Sequence, residues 1–132
     1  MRAAARGMEA LGVGADLVLT SPLIRCRQTA DIVCERLGGE PREDRRLAPG
    51  MSLGELEDAL LEHPGAGVVL VCGHQPDLSV VTAALTGGGH VKFKKGSLAL
   101  LDVEAARPAG GRLRALYPPA ALRAIGGVPP RG

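Results

Sequence analysis

Apolar positions fall into two rhythms along this chain. In residues 2–11 (RAAARGMEAL), Ala5, Met8 and Leu11 recur at three-residue steps among good helix formers, which predicts an amphipathic helix that stops at Gly12-Val13-Gly14. Residues 16–20 (DLVLT) are a short continuous apolar run between turn residues, the pattern of a strand buried on both faces. The segment SPLIRCRQTADIVCERLGG then reads as a helix with Ser21 as N-cap, Pro22 as its first residue and Gly38 just past its end. Its apolar stripe is Leu23, Cys26, Ala30, Val33, Cys34 and Leu37.

Residues 40–50 are polar, contain Pro41 and Pro49, and read as a connection. Ser52 opens SLGELEDALLEH, where Glu55 stands at the position that completes a capping box. Residues 65–72 (GAGVVLVC) form a second continuous apolar strand, Gly73-His74-Gln75 turns the chain, and Pro76 opens a helix that runs to Leu85 and ends at Gly87-Gly88-Gly89. SLALLDVE and GRLRALY read as two strands paired through the loop at 105–111, PAALRAI as a short last helix, and residues 126–132 as a frayed tail. This alternation predicts one α/β domain over residues 1–132, a three-layer sandwich around a largely parallel central sheet.

Composition narrows the function classes. A chain of 132 residues supports a single core, and 45% hydrophobic with 23% charged residues is a globular balance. With no Trp, one Tyr and one Phe, the stacking platforms for single-stranded nucleic acid are missing. A net charge of +2 spread over mixed signs offers no basic face to duplex DNA or to a membrane. The longest apolar run, 68–72, is too short to span a bilayer, and the N-terminal stretch lacks the apolar core of a signal peptide. Three cysteines without tight spacing, Cys26, Cys34 and Cys72, fit reduced thiols, so the expected location is cytoplasmic.

Two segments share one design, LVLT-SP-LIR and VLVC-GHQP-DLS. In each a buried strand ends, a short turn presents polar side chains, and a proline aims a helix N-terminus back toward the strand end. Helix N-termini offer unpaired N–H groups and partial positive charge, and ligands of open parallel sheets gather at strand carboxyl ends. Arg25 falls in the first turn of its helix, where a guanidinium can grip a phosphate through two bonds, and His74 stands at the other strand end. Together they suggest a phosphate or phosphoryl pocket. Plain architecture is the alternative at each position: Arg25 as a surface arginine beside Arg27, and His74 as a helix cap. His63 and His90 read as loop residues, and Lys92, Lys94 and Lys95 as a solvated strand edge.

Other chemistries fail on spacing. A cysteine phosphatase loop needs Arg at the sixth position after its Cys, but Leu78 follows Cys72 at that distance and Ile32 follows Cys26. No P-loop, GxGxxG or GxSxG string occurs. Cys72 and His74 have no further ligand pair for zinc, so no metal is expected.

The string LVLTSPLIRCRQTADIV, followed by VVLVCGHQPDLSVVTAALTGG and KKGSLALLDV, resembles the histidine phosphatase superfamily, of phosphoglycerate mutase-like fold, and within it the SixA-like phosphohistidine phosphatases. The resemblance implies that Arg25 and His74 bind the phosphoryl group and take part in catalysis, while Ser21 and Gln28 match motif positions that shape the loop and helix. It further implies phosphoryl hydrolysis through a phosphohistidine intermediate, with a protein-borne phosphohistidine or a small phosphate ester as substrate and no cofactor.

One departure qualifies that expectation. The family opens with a strand ending in Arg-His-Gly, whose His is the nucleophile, and this string does not occur in the chain. The expectation is therefore a domain lacking its N-terminal central strand, vacated between 17–20 and 68–72 and prone to association there. Residues 1–132 would then retain part of the phosphate pocket, and a non-catalytic phosphate-binding or regulatory remnant is the alternative reading. The sequence does not decide the oligomeric state.

Overall fold

The computed structural model describes residues 1–127. Helix α1 (Arg2–Ala10) turns Ala4, Ala5 and Met8 inward, as its three-residue rhythm requires. It leads to β1 (Leu17–Thr20), whose continuous apolar run is explained by neighbours on both edges: β2 (Pro41–Glu43) on one side and β3 (Val69–Cys72) on the other, both parallel. The expected vacated slot between the two apolar strands is thereby overturned. Leu17 through Thr20 pair directly with Val69 through Cys72, and it is the far edge of β3 that has no strand beside it among the described residues.

Strands β4 (Leu98–Val103) and β5 (Gly111–Tyr117) form a separate antiparallel pair, with a register irregularity at Leu100 and Leu101. Side chains of β3 and β4 nevertheless enter the same two cores. Leu70 joins Leu98 and Leu100 on one face, while Val69 and Val71 join Leu101 on the other. The first face is covered by α1, α2 (Ile24–Leu37) and α5 (Pro119–Ile125), and the second by α3 (Leu53–Leu61) and α4 (Asp77–Leu85), which gives the expected three layers.

Local chemistry sets most boundaries. Ser52 and Glu55 exchange both bonds of the capping box at the start of α3, an arrangement worth about 1 kcal/mol. Gly38 ends α2 at φ 92°, a backbone region open to glycine. The start of α2 differs from expectation: Leu23 is the N-cap, and Ser21-Pro22 lie outside the helix, because the Ser21 hydroxyl is engaged elsewhere. Leu23 consequently leaves the apolar stripe and is 47% exposed. The 65–72 strand contracts to Val69–Cys72, since Asp16 holds the amides of Gly67 and Val68 in a turn.

The polar connection at 40–50 contains β2 and a 3-10 turn (Arg45–Leu47), capped by Asp44, that buries Leu47 completely. A three-residue polar edge strand carries no hydrophobic period, so the pattern could not reveal it. The lysine segment expected as a strand edge is irregular and exposed. Gly126 closes α5 and packs on α1, where a side chain would meet the Ala3 carbonyl and the Gly7 amide; the rest of the expected tail, 128–132, lies outside the described residues.

Candidate functional site

β1 and β3 end side by side, with Thr20 opposite Cys72. The ladder continues one bond further, the Ser21 amide donating to the Cys72 carbonyl at 2.9 Å, before the chains part into α2 and α4. This last bond fixes Ser21 beside the turn that carries His74. Ser21 is fully buried; its hydroxyl oxygen accepts from the Leu23 amide at 3.2 Å and lies 2.7 Å from His74 Nε2. Cys26, one turn into α2, donates its thiol proton to the Gly73 carbonyl at 3.3 Å and sits 3.5 Å from the same imidazole nitrogen. The imidazole is thus held from beneath by two buried side chains, one on each side of the start of α2.

Arg25 immediately precedes Cys26 in that first turn and is exposed, with no acidic partner among the described residues. Its neighbour Arg27 is the one that pairs away, with Asp31 at 3.1 Å and Glu43 at 3.2 Å. The structure therefore brings His74 to the root of α2, by Ser21 and Cys26, and leaves Arg25 exposed in the first turn of that helix. Helix α2 has no side-chain cap and no acidic residue in its first turn, so its leading amides retain the anion preference expected of them.

The second helix N-terminus does not behave as expected. In α4 the Leu78 amide bonds to the His74 carbonyl, the Gln75 side chain accepts from the Ser79 amide and hydroxyl, and Asp77 adds an acidic group. Asp77 is itself engaged, accepting from the amides of Gly50 at 2.7 Å and Met51 at 3.3 Å, which anchors the loop before α3 to this end of the sheet. The Leu78 and Ser79 amides of α4 are thus spent within the protein, whereas Arg25 and the start of α2 keep their positive character.

The thiols are held neutral. Burial pushes Cys26 up, partly offset by the Ser21 hydroxyl, and burial pushes Cys72 up to about 12, with Cys26 and Cys34 adding to it. A thiol held in the protonated form is a poor nucleophile, so neither cysteine is equipped to attack a phosphoryl group. Among the described residues no cluster of His, Cys, Asp or Glu could hold a metal ion. A cavity of about 410 Å³, lined by residues such as Asp16 and Arg42, opens at the opposite end of β1 and contains none of the residues named above.

His63 and His90 lie in loops, as read from the sequence. Arg25 and His74 were legible as strand-end residues. The contacts of Ser21 and Cys26 with His74 were not, because Ser21 read as a helix cap and Cys26 as one more apolar position.

The profile of the histidine phosphatase superfamily (branch 1) matches residues 1–59. An uncharacterized protein of Picosynechococcus sp. is 41% identical over 111 residues, covering 78% of this chain; the match spans 66% of that relative, just under two thirds of its length. The structure of the protein histidine phosphatase SixA complexed with tungstate superposes with a TM-score of 0.80 at 25% identity, over 92% of this chain and 80% of that one. An Agrobacterium tumefaciens structure described as a phosphohistidine phosphatase SixA superposes at 0.64 and 22% identity, over 89% and 79% of the two chains. No described helix is long and apolar enough to cross a membrane.

Proposed function

We propose that this chain, whose residues 1–59 match the histidine phosphatase superfamily and whose fold superposes on SixA, is a phosphohistidine phosphatase in which Arg25 and His74 bind the phosphoryl group. The observation that carries this reading is the His74 imidazole anchored at the root of an uncapped helix whose first turn bears the unpaired Arg25. SixA binds tungstate, a tetrahedral oxyanion of the shape this cluster suits. The same likeness favours a protein-borne phosphohistidine over a small phosphate ester. In the reaction a nucleophilic histidine takes the phosphoryl group from the substrate, Arg25 and His74 neutralise charge on its oxygens, and water then attacks phosphorus to release inorganic phosphate. These steps call for no cofactor. The three free cysteines fit a cytoplasmic location.

The decisive test uses the product of the whole reading frame, assayed on a phosphohistidine-bearing protein and on a generic phosphate ester. A loss of turnover of about 100-fold or more in Arg25→Ala supports the proposal. Turnover equal to that of the unsubstituted protein overturns it.

A further inference from the structure

We propose that Ser21 is the positioning residue of His74: it ties down Nε2 and thereby makes Nδ1 the nitrogen that donates to a phosphoryl oxygen. The inference rests on the reading of His74 as a phosphate ligand. Ser21 is fully buried, and its oxygen lies 2.7 Å from Nε2. A hydroxyl carries one proton and two lone pairs. The Leu23 amide, at 3.2 Å, occupies one lone pair, which leaves the proton and one further pair for His74.

Both protonation states of the imidazole fit this arrangement, and both lead to the same outward group. In the neutral ring the arrangement that gives the buried Ser21 proton a strong acceptor has it donated to Nε2, which places the ring proton on Nδ1; the reverse, Nε2–H donating to the free lone pair, leaves the hydroxyl proton only the Cys26 sulfur, a weak acceptor. In the imidazolium Nε2–H donates to the free lone pair of Ser21, and Nδ1 again carries a proton. The Cys26 thiol, 3.5 Å from Nε2, does not compete, because its own proton is directed to the Gly73 carbonyl at 3.3 Å. Nδ1 has the Cys26 sulfur at 3.8 Å, a weak acceptor that a phosphoryl oxygen readily outcompetes. A phosphoryl oxygen therefore meets an N–H donor at His74 whether or not the ring is charged. With Nε2 free, a neutral imidazole could instead turn a lone pair toward the anion.

The test is nitrogen-15 NMR of imidazole-labelled 132-residue chain, together with titration by inorganic phosphate. The spectrum of the neutral ring is expected to have its proton on Nδ1; a neutral ring with its proton on Nε2 overturns the inference without any variant. In Ser21→Ala the Nδ1 preference is expected to disappear and phosphate affinity to fall about tenfold, with Ser21→Thr, which keeps the hydroxyl, restoring both. Retention of the Nδ1 tautomer in a folded Ser21→Ala chain overturns it as well. Failure of the underlying reading looks different: phosphate binding would then be unchanged in His74→Ala.

Discussion

The side chains of Ser21 and His74, 53 residues apart in sequence, meet at 2.7 Å where two parallel strands end. That contact needs no long-range coincidence once β1 and β3 are neighbours in register, because residues one and two positions beyond paired strand ends must come out side by side. The phosphate reading follows from this adjacency. On the proposed reading the Arg25 guanidinium, which has no acidic partner among the described residues, gives the anion a charge-assisted bond worth about 1.5–3 kcal/mol.

Cys72 predicts an alkaline weakness of the fold. Its thiol is pushed up to about 12, above the ordinary thiol value near 9.0, so the unfolded chain releases the proton first. The neutral thiol contributes its full stability below that ordinary value, and stability falls progressively as pH rises toward about 12. A complete shift of this size corresponds to at most about 4 kcal/mol. Urea unfolding of the parent and of Cys72→Ala should show a shallower loss of stability between neutral and alkaline pH in the variant.

Gly7 is where α1 passes closest to α5. A β-carbon there would collide with the carbonyl of Leu122, itself 1% exposed, so the backbone cannot give way without opening the core. Gly7→Ala is expected to destabilise by about 1–3 kcal/mol despite alanine's higher helix propensity. Chemical denaturation would check this, and a stabilised variant would mean that the α1–α5 packing is misjudged.

The unpaired edge of β3 is a template for association. Val68, 52% exposed, leads into an apolar strand that has a partner on one edge among the described residues. The 132-residue chain is expected to self-associate with rising concentration, and Val68→Lys to reduce this; sedimentation velocity distinguishes the outcomes.

Much of this architecture was legible because burial writes itself into residue pattern. LVLT and VLVC are apolar on both faces, Ser52 and Glu55 form the box their spacing allows, and GRLRALY is the strand it reads as. What was hidden depends on partners distant in sequence. Pro41–Glu43 becomes a strand only because β1 offers an edge. Ser21 leaves its expected capping role because His74 lies within reach, and the Leu78 and Ser79 amides of α4 are spent on His74 and Gln75 rather than left for an anion. The slot expected between β1 and β3 was misplaced because apolar runs reveal that strands are buried, not which of them are neighbours.

The central claim, that Ser21, Arg25, Cys26 and His74 delimit a phosphoryl-binding site, is tested most directly by a nitrogen-15 NMR titration of the chain with inorganic phosphate. The account predicts that shift changes concentrate on the amides of Ile24, Arg25 and Cys26 and on the His74 ring, and that they vanish in Arg25→Ala. Changes centred instead on the cavity around Asp16 and Arg42, or unaltered in Arg25→Ala, would contradict it.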